Sequence, residues 1–151
     1  MKIYLGADHQ GYEYKEKISI YLNSLHHEVI DEGDTKFNPD DDFPQFASRV
    51  VNGILSDENY RHDEVRGILI CGSGQGMCMA ANRFKGIRAS LVVSAAEARS
   101  ARNDDDSNVL CLSASFTSLG DAQTIINVWL NTPFAKAPRF IRRLTQLDEL
   151  G

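Results

Sequence analysis

The chain has 151 residues, and 16 Lys and Arg against 21 Asp and Glu leave a formal net charge of −5. With 42% hydrophobic and 25% charged residues it reads as a single domain over 1–151, long enough to bury about two-thirds of its unfolded surface. The acidic balance argues against a nucleic-acid binder, no apolar run approaches the roughly 18 residues of a membrane span, and Met1 to Gln10 meets charge too early for a signal peptide. Three cysteines do not make a disulfide framework, so a reducing cytoplasm is the expected setting.

Ile3-Tyr4-Leu5 is a short apolar run that ends at Gly6-Ala7-Asp8-His9. From Gly11 onward Tyr14, Ile18, Leu22 and Leu25 recur at helical spacing. Val29-Ile30 is a second strand, stopped by Asp31-Glu32-Gly33. After the loop Asn38 to Asp42, a helix carries Phe46, Val50 and Ile54 with Val51 and Leu55 beside them. Gly67 to Cys71 is continuously apolar, as a strand buried on both faces must be, and it enters a glycine-rich turn. Ile87 to Val93 and Val109 to Leu112 add two strands, each followed by a helical segment. In the later helix Ala122, Ile125, Ile126, Trp129 and Leu130 share a face, and Ser118 with Asp121 can cap its start. A final helix is expected from about 138 to 150, with Ile141, Leu144 and Leu147 inward.

Five strands alternating with helices predict a doubly wound, Rossmann-like parallel sheet in a three-layer α/β/α arrangement. Ligands bind such sheets beyond the carboxyl ends of the strands. Three places qualify: Asp8-His9, the stretch Cys71 to Gly76, and Ser94 onward.

The strongest local signal is Cys71-Gly72-Ser73-Gly74-Gln75-Gly76. Alternate glycines let backbone N–H groups converge on an oxygen anion, and a following helix adds its positive end, which also favours a thiolate. A proton acceptor would then stand beside an oxyanion site; a structural cysteine in a tight turn accounts for the stretch equally well. A dinucleotide fingerprint fails because Met77 stands where the third glycine is due. Asp8 and His9 can face the crevice, or Asp8 can cap the next helix with His9 at the surface. His26, His27 and His62 lack metal-like spacing and read as solvated, and Cys78 and Cys111 read as packing residues. The triplet Asp40-Asp41-Asp42 reads as solvated loop charge. A calcium loop from Asp104 fails, since Val109 and Ser115 occupy the positions that need Gly and Glu. Arg139, Arg142 and Arg143 lie about one turn apart and can converge on one phosphate, or form a solvated face.

Longer blocks carry a family signal: Gly6 to Tyr12 with Lys15 and Glu16, Glu28 to Gly33, Asp42-Phe43-Pro44, Gly67 to Gly76, Ala80 to Arg83, Gly86 to Ala89, Ser107 to Leu110, and the terminal Arg139 and Arg143. Over essentially its whole length the chain resembles the ribose-5-phosphate isomerase B and galactose-6-phosphate isomerase family. The resemblance implies carbohydrate metabolism, specifically interconversion of a phosphorylated aldose and ketose through a cis-enediolate without metal or cofactor. It implies a homodimer or homotetramer with shared sites, the C-terminal helix contributing to the interface, and no nucleic-acid or membrane partner. Carried over, Cys71 is the base, Ser73 assists it, Gly72, Gly74 and Gly76 bind the enediolate oxygen, Asp8 and His9 contact the sugar phosphate, and Arg139 and Arg143 take the phosphate from the partner.

Five positions depart from the pattern. Asp104 and Asp105 replace a His and an Asn, the His being the one assigned to ring opening. Ser115 replaces an Arg of the phosphate site, Phe43 a Tyr, and Phe140 a His. One branch uses a Glu as base where Met77 stands here, which leaves Cys71 for that role. Each lost charged hydrogen bond costs about 1.5–3 kcal/mol, roughly 10- to 100-fold. The default substrate is ribose 5-phosphate. The alternatives are a tetrose 4-phosphate, which needs no ring opening, and a half-site subunit or sugar-phosphate binder; in a further variant Asp104 or Asp105 is a replacement acid.

Overall fold

The computed structural model describes residues 1–60 and 64–150; His62 lies outside them. The strands are β1 (Lys2–Ala7), β2 (Glu28–Asp31), β3 (Val65–Cys71), β4 (Ala89–Leu91) and β5 (Val109–Ser113). The helices are α1 (Tyr12–Ser24), α2 (Phe43–Ser56), α3 (Gln75–Ala81), α4 (Ala95–Asn103), α5 (Leu119–Asn131) and α6 (Pro138–Asp148), and a 3-10 turn at His9–Gly11 precedes α1. All strand pairs are parallel, in the order β2-β1-β3-β5-β4. The doubly wound α/β sheet expected from the sequence is therefore what forms.

Strand alternation builds the layers. Ile68 and Ile70 of β3 point into a core shared with Ile18, Leu22, Ala98 and Trp129, so α1, α4 and α5 cover that face. Leu69 and Cys71 point the other way, toward Phe46, Val50, Met77 and Ala81 of α2 and α3. All seven β3 residues are buried, because β3 has a neighbour on each edge and helices on both faces. α5 presents the expected face, and Ser118 Oγ accepts the Asp121 N–H at 3.1 Å to cap it.

Several details differ from the sequence expectation. β4 is shorter than Ile87–Val93, because the Ile87 N–H turns back to the Phe84 carbonyl and the ladder begins only at Ala89. On α6 the inward residue is Phe140, 7% exposed, while Ile141 and Leu147 are 48% and 49% exposed. About half of that apolar stripe is left uncovered by the described residues. Leu25 and Leu55 lie at the margins of their stripes and are exposed. Lys15, a polar position in the helical pattern, is fully buried. Burial presses its ammonium toward neutrality, but hydrogen bonds to Asp31 and Glu16 outweigh that and raise its pKa.

Ser118→Ala removes the α5 cap. It is expected to cost about 1 kcal/mol and to lower Tm by roughly 2–4 °C, read by thermal denaturation.

Candidate active site

The site is set by one register. Ala7 of β1 pairs with Ile70 of β3, and the Asp8 N–H continues the ladder to the Ile70 carbonyl at 3.3 Å. The next residues along, Asp8 and Cys71, are thus cross-strand neighbours on backbones about 4.8 Å apart. Beyond them the chain leaves β1 toward α1 on one face and β3 toward α3 on the other, which opens a crevice between the strand ends.

On the β1 side, Asp8 is buried and its Oδ1 accepts the N–H groups of Gln10 at 3.0 Å and Gly11 at 3.2 Å. Through that one oxygen Asp8 caps the turn that leads into α1. Burial raises the Asp8 pKa, against the N–H of Gly11 and the charge of His9. His9 is half-buried, with Nδ1 2.7 Å from Asp41 Oδ1 and its backbone N–H 3.0 Å from the same oxygen. Asp41 therefore corrects the reading of its triplet as solvated: its side chain is only 3% exposed.

On the β3 side, Cys71 is 5% exposed, and its Sγ accepts the Gly74 N–H at 3.1 Å. That bond ties the sulfur to the glycine turn, while Phe46, Met77 and the other apolar side chains of its face pack in the same cluster. Gly74 adopts φ 75°, and a Cβ there would stand 3.0 Å from the Leu112 carbonyl, so this position needs glycine twice over. The end of β5 clamps the turn. The Gly72 carbonyl accepts Ser113 Oγ at 2.7 Å and the Ser115 N–H at 2.9 Å, and the Cys71 carbonyl accepts the Ala114 N–H at 3.0 Å. In a trans peptide the C=O and N–H point opposite ways, so tying down the Gly72 carbonyl aims the Ser73 N–H away from β5. Ser73 Oγ is part-exposed and accepts the Gln75 N–H at 3.3 Å. Gln10 lies over the Gly72 backbone and the Phe43 ring over Gly76, each where a side chain on the glycine would otherwise project. The loop is thus roofed by one polar amide and one ring whose outer side remains exposed.

The other expected residues fall elsewhere. Asp104 and Asp105 precede Val109, the amino end of β5, whereas Cys71 is level with Ser113 at its carboxyl end. Those four steps separate them by roughly 13 Å at about 3.3 Å per residue. Burial raises the Asp105 pKa, Asp104 adds to the rise, and Arg143 opposes it, so Arg143 shares that end of the sheet. The Arg139 guanidinium rests 4.5 Å from the Phe140 ring centre. A cavity of about 670 Å³ lies at the same end, lined by Arg83, Arg88, Asp105 and Leu147 among others and not by Cys71. Ser94 caps α4 by accepting the Glu97 N–H. His26 is exposed and His27 half-buried. Cys78 is half-buried with Sγ 3.4 Å from the Ala89 carbonyl, and hydrogen bonding with Cys111 lowers its pKa to about 7, while burial pushes Cys111 up. Its sulfur faces β4 rather than the crevice. Asp41, Gln10 and Ser113 were not singled out from the sequence; only the three-dimensional turns bring them to the loop.

The family profile described as Ribose/Galactose Isomerase matches residues 3–147. This chain belongs to that family. It is 39% identical over 145 residues to the probable ribose-5-phosphate isomerase B of Mycoplasma genitalium, covering 96% of this chain and 92% of the relative. It is 34% identical to ribose-5-phosphate isomerase B of Mycobacterium tuberculosis, covering 99% and 89%. Among solved structures, ribose-5-phosphate isomerase B of Clostridium thermocellum matches with TM-score 0.91 at 36% identity, covering 99% of this chain and 97% of that one. The Mycoplasma genitalium enzyme with bound ribulose 5-phosphate matches with TM-score 0.90 at 38% identity, covering 98% and 94%. Among the described residues of this Ribose/Galactose Isomerase family member, no helix is long and apolar enough to cross a membrane.

Gly74→Ala places a side chain at positive φ against a carbonyl and is expected to cost about 1–3 kcal/mol. A shift in urea midpoint of that size, with loss of sugar-phosphate turnover, is the expected result. Wild-type stability and turnover would contradict the geometry assigned to the turn.

Proposed function

We propose that this chain interconverts ribose 5-phosphate and ribulose 5-phosphate through a cis-enediolate, with Cys71 as the base. The observation that carries the reading is the Cys71 sulfur pinned by the Gly74 N–H at the β3 end, one strand from Asp8 and His9. In the open-chain aldose, Sγ takes the C2 proton, the C–H pair becomes the C1–C2 double bond, and the carbonyl pair moves onto O1. The Ser73 N–H and the glycine-turn amides meet that oxygen charge, and such preorganised donors are worth about 10²–10³-fold. The proton returns to C1 as C2 becomes the carbonyl, with the Ser73 hydroxyl positioned to move the proton between O1 and O2. Asp8 and His9 hold the sugar and its phosphate. The reaction runs on the protein's own groups and requires no metal or cofactor.

The site is completed by a second copy. Asp104, Asp105 and Arg143 lie at the opposite end of the sheet from Cys71 of the same chain, so they serve the Cys71 of a partner. Arg139 and Arg143 then reach the partner's bound phosphate, and the exposed apolar stripe Ile141, Leu147 and Leu150 on and just after α6 is covered on assembly. A homodimer or homotetramer in the cytoplasm, working in pentose phosphate metabolism, fits this arrangement.

A second reading rests on position 104. With Asp in place of the ring-opening His, a tetrose 4-phosphate, which cannot close a furanose ring through its esterified oxygen, loses nothing. Assays of the purified protein on ribose 5-phosphate and on erythrose 4-phosphate separate the two. Cys71→Ala is expected to lower turnover of the preferred sugar by about 10²–10⁴-fold. An unchanged rate removes Cys71 as base, and a wild-type protein inactive alone on both sugars points to a half-site subunit. Leu147→Asp is expected to shift the assembly to monomer in light scattering, with turnover falling alongside.

A further inference from the structure

Three consecutive aspartates before α2 behave differently from one another. Asp40 and Asp42 are exposed, but the Asp41 side chain is turned inward. Asn38 arranges this: its Oδ1 accepts the Asp40 N–H at 3.1 Å and its carbonyl accepts the Asp41 N–H at 3.4 Å. A buried carboxylate is costly unless it is hydrogen-bonded or paired. Here one oxygen takes two donors of a single residue, the His9 backbone N–H and ring Nδ1. Main chain and ring held by one atom leave the imidazole little rotational freedom.

The chemistry of the pair settles the proton on the inner nitrogen. An ionised carboxylate only accepts, so Nδ1 must carry hydrogen, and Nε2, on a ring 28% exposed, is left without a hydrogen-bond partner among the described residues. The charges facing His9 are Asp8 from the end of β1 and Asp40 and Asp41 from the loop, all acidic. The hydrogen bond to Asp41 is the chief reason that the imidazole pKa is raised above its ordinary 6.5, against the opposing effect of burial. His9 directly follows Asp8, the cross-strand neighbour of Cys71, so its Nε2 stands at the mouth of the crevice.

We propose that Asp41 is a positioning residue: it locks the His9 ring so that Nε2–H is presented as a donor to the phosphate of the bound sugar. This rests on the isomerase reading above and adds to it a residue outside the glycine turn. Ser115 offers no guanidinium, so beside the Arg139 and Arg143 that a partner contributes the phosphate has one cationic ligand fewer to draw on. Part of the phosphate affinity then depends on an imidazolium, which is lost as pH rises through the His9 pKa.

The test combines Asp41→Asn and Asp41→Glu with two readouts. Nuclear magnetic resonance titration of the His9 ring reports its pKa without any need for turnover, and KM and kcat for ribose 5-phosphate are measured across pH 5.5–9 (a range of about one to two units either side of the histidine region). In the wild type the rise in KM with pH should coincide with the His9 titration, above 6.5. Asp41→Asn should move both downward together. At a pH where wild-type His9 is still charged, that variant should raise KM by about tenfold while kcat stays within about twofold, the loss expected for one charge-assisted hydrogen bond. Asp41→Glu, which keeps the charge, should recover most of the KM. If Asp41→Asn leaves the His9 titration and the KM profile in place, Asp41 is only a loop anchor and the proposal falls. Should the variants not fold, a wild-type KM limb that departs from the His9 titration overturns it equally. A wild type that turns over no sugar phosphate defeats the underlying reading, and is distinguished by being seen before any variant is made.

Discussion

The arrangement depends on β3 being hydrogen-bonded on both edges, to β1 through Ala7 and Ile70 and to β5 through Cys71 and Ser113. A strand paired twice and covered on both faces cannot shift its end without breaking a ladder in the core. The residues immediately beyond it inherit that rigidity. The glycine turn has few side chains of its own to hold it, so its order is imported from β5, where Ser113 both donates to the Gly72 carbonyl and accepts the Phe116 N–H at 3.1 Å. Removing side chains from the loop frees its amides; supplying the order from a neighbouring strand keeps those amides aimed.

Parallel topology also decides what one chain can and cannot assemble. All five strands run the same way, so the residues entering β5 and those leaving β3 are separated by the full height of the sheet. Asp104 and Asp105 are separated from Cys71 by this geometry, whatever side chains they carry. Arg143 joins them at that end, and the Ile141 and Leu147 stripe of α6 faces outward nearby rather than packing on its own domain. The proposed identical neighbour accounts at once for the polar groups at that end of the sheet and for the exposed apolar stripe beside them.

Much of the fold was legible because its signals are local. The continuous apolar run of β3, the Ser118–Asp121 cap and the five-residue face of α5 each follow from spacing alone, and all appear as expected. The strand ends that carry Asp8 and Cys71 were legible too, because each apolar run stops there. What was not legible depends on distant partners. Lys15 is polar in the pattern yet buried, because Asp31 on β2 meets its ammonium. Asp41 looks like its two neighbours in the sequence and differs only because the Asn38 turn carries it to His9, 32 residues away in the chain. The inward reading of Ile141 and Leu147 failed for a related reason: helical periodicity finds an apolar stripe but does not say whether the cover belongs to the same chain.

The charge pattern around the site follows from these placements. A phosphorylated sugar brings about two negative charges, and the chain itself carries a net charge of −5. General electrostatic attraction therefore does not bring substrate to this protein; the cations must be local. Arg88 and Arg102 are committed to Asp106, at 2.7 and 2.9 Å, and Lys15 to Asp31 and Glu16. Arg139 is stacked on an aromatic ring and Arg143 stands beside an acidic pair. In the proposed reading His9 adds a cation at the crevice itself, and its charge is conditional where a guanidinium's is not. In the proposed reading such a site recognises phosphate partly through an imidazole whose pKa the surrounding carboxylates raise. On that reading the same acidic groups that repel a free phosphate favour the charged form of its receptor, provided they stay behind the ring and not in front of it. The inward turn of Asp41 puts one of them there.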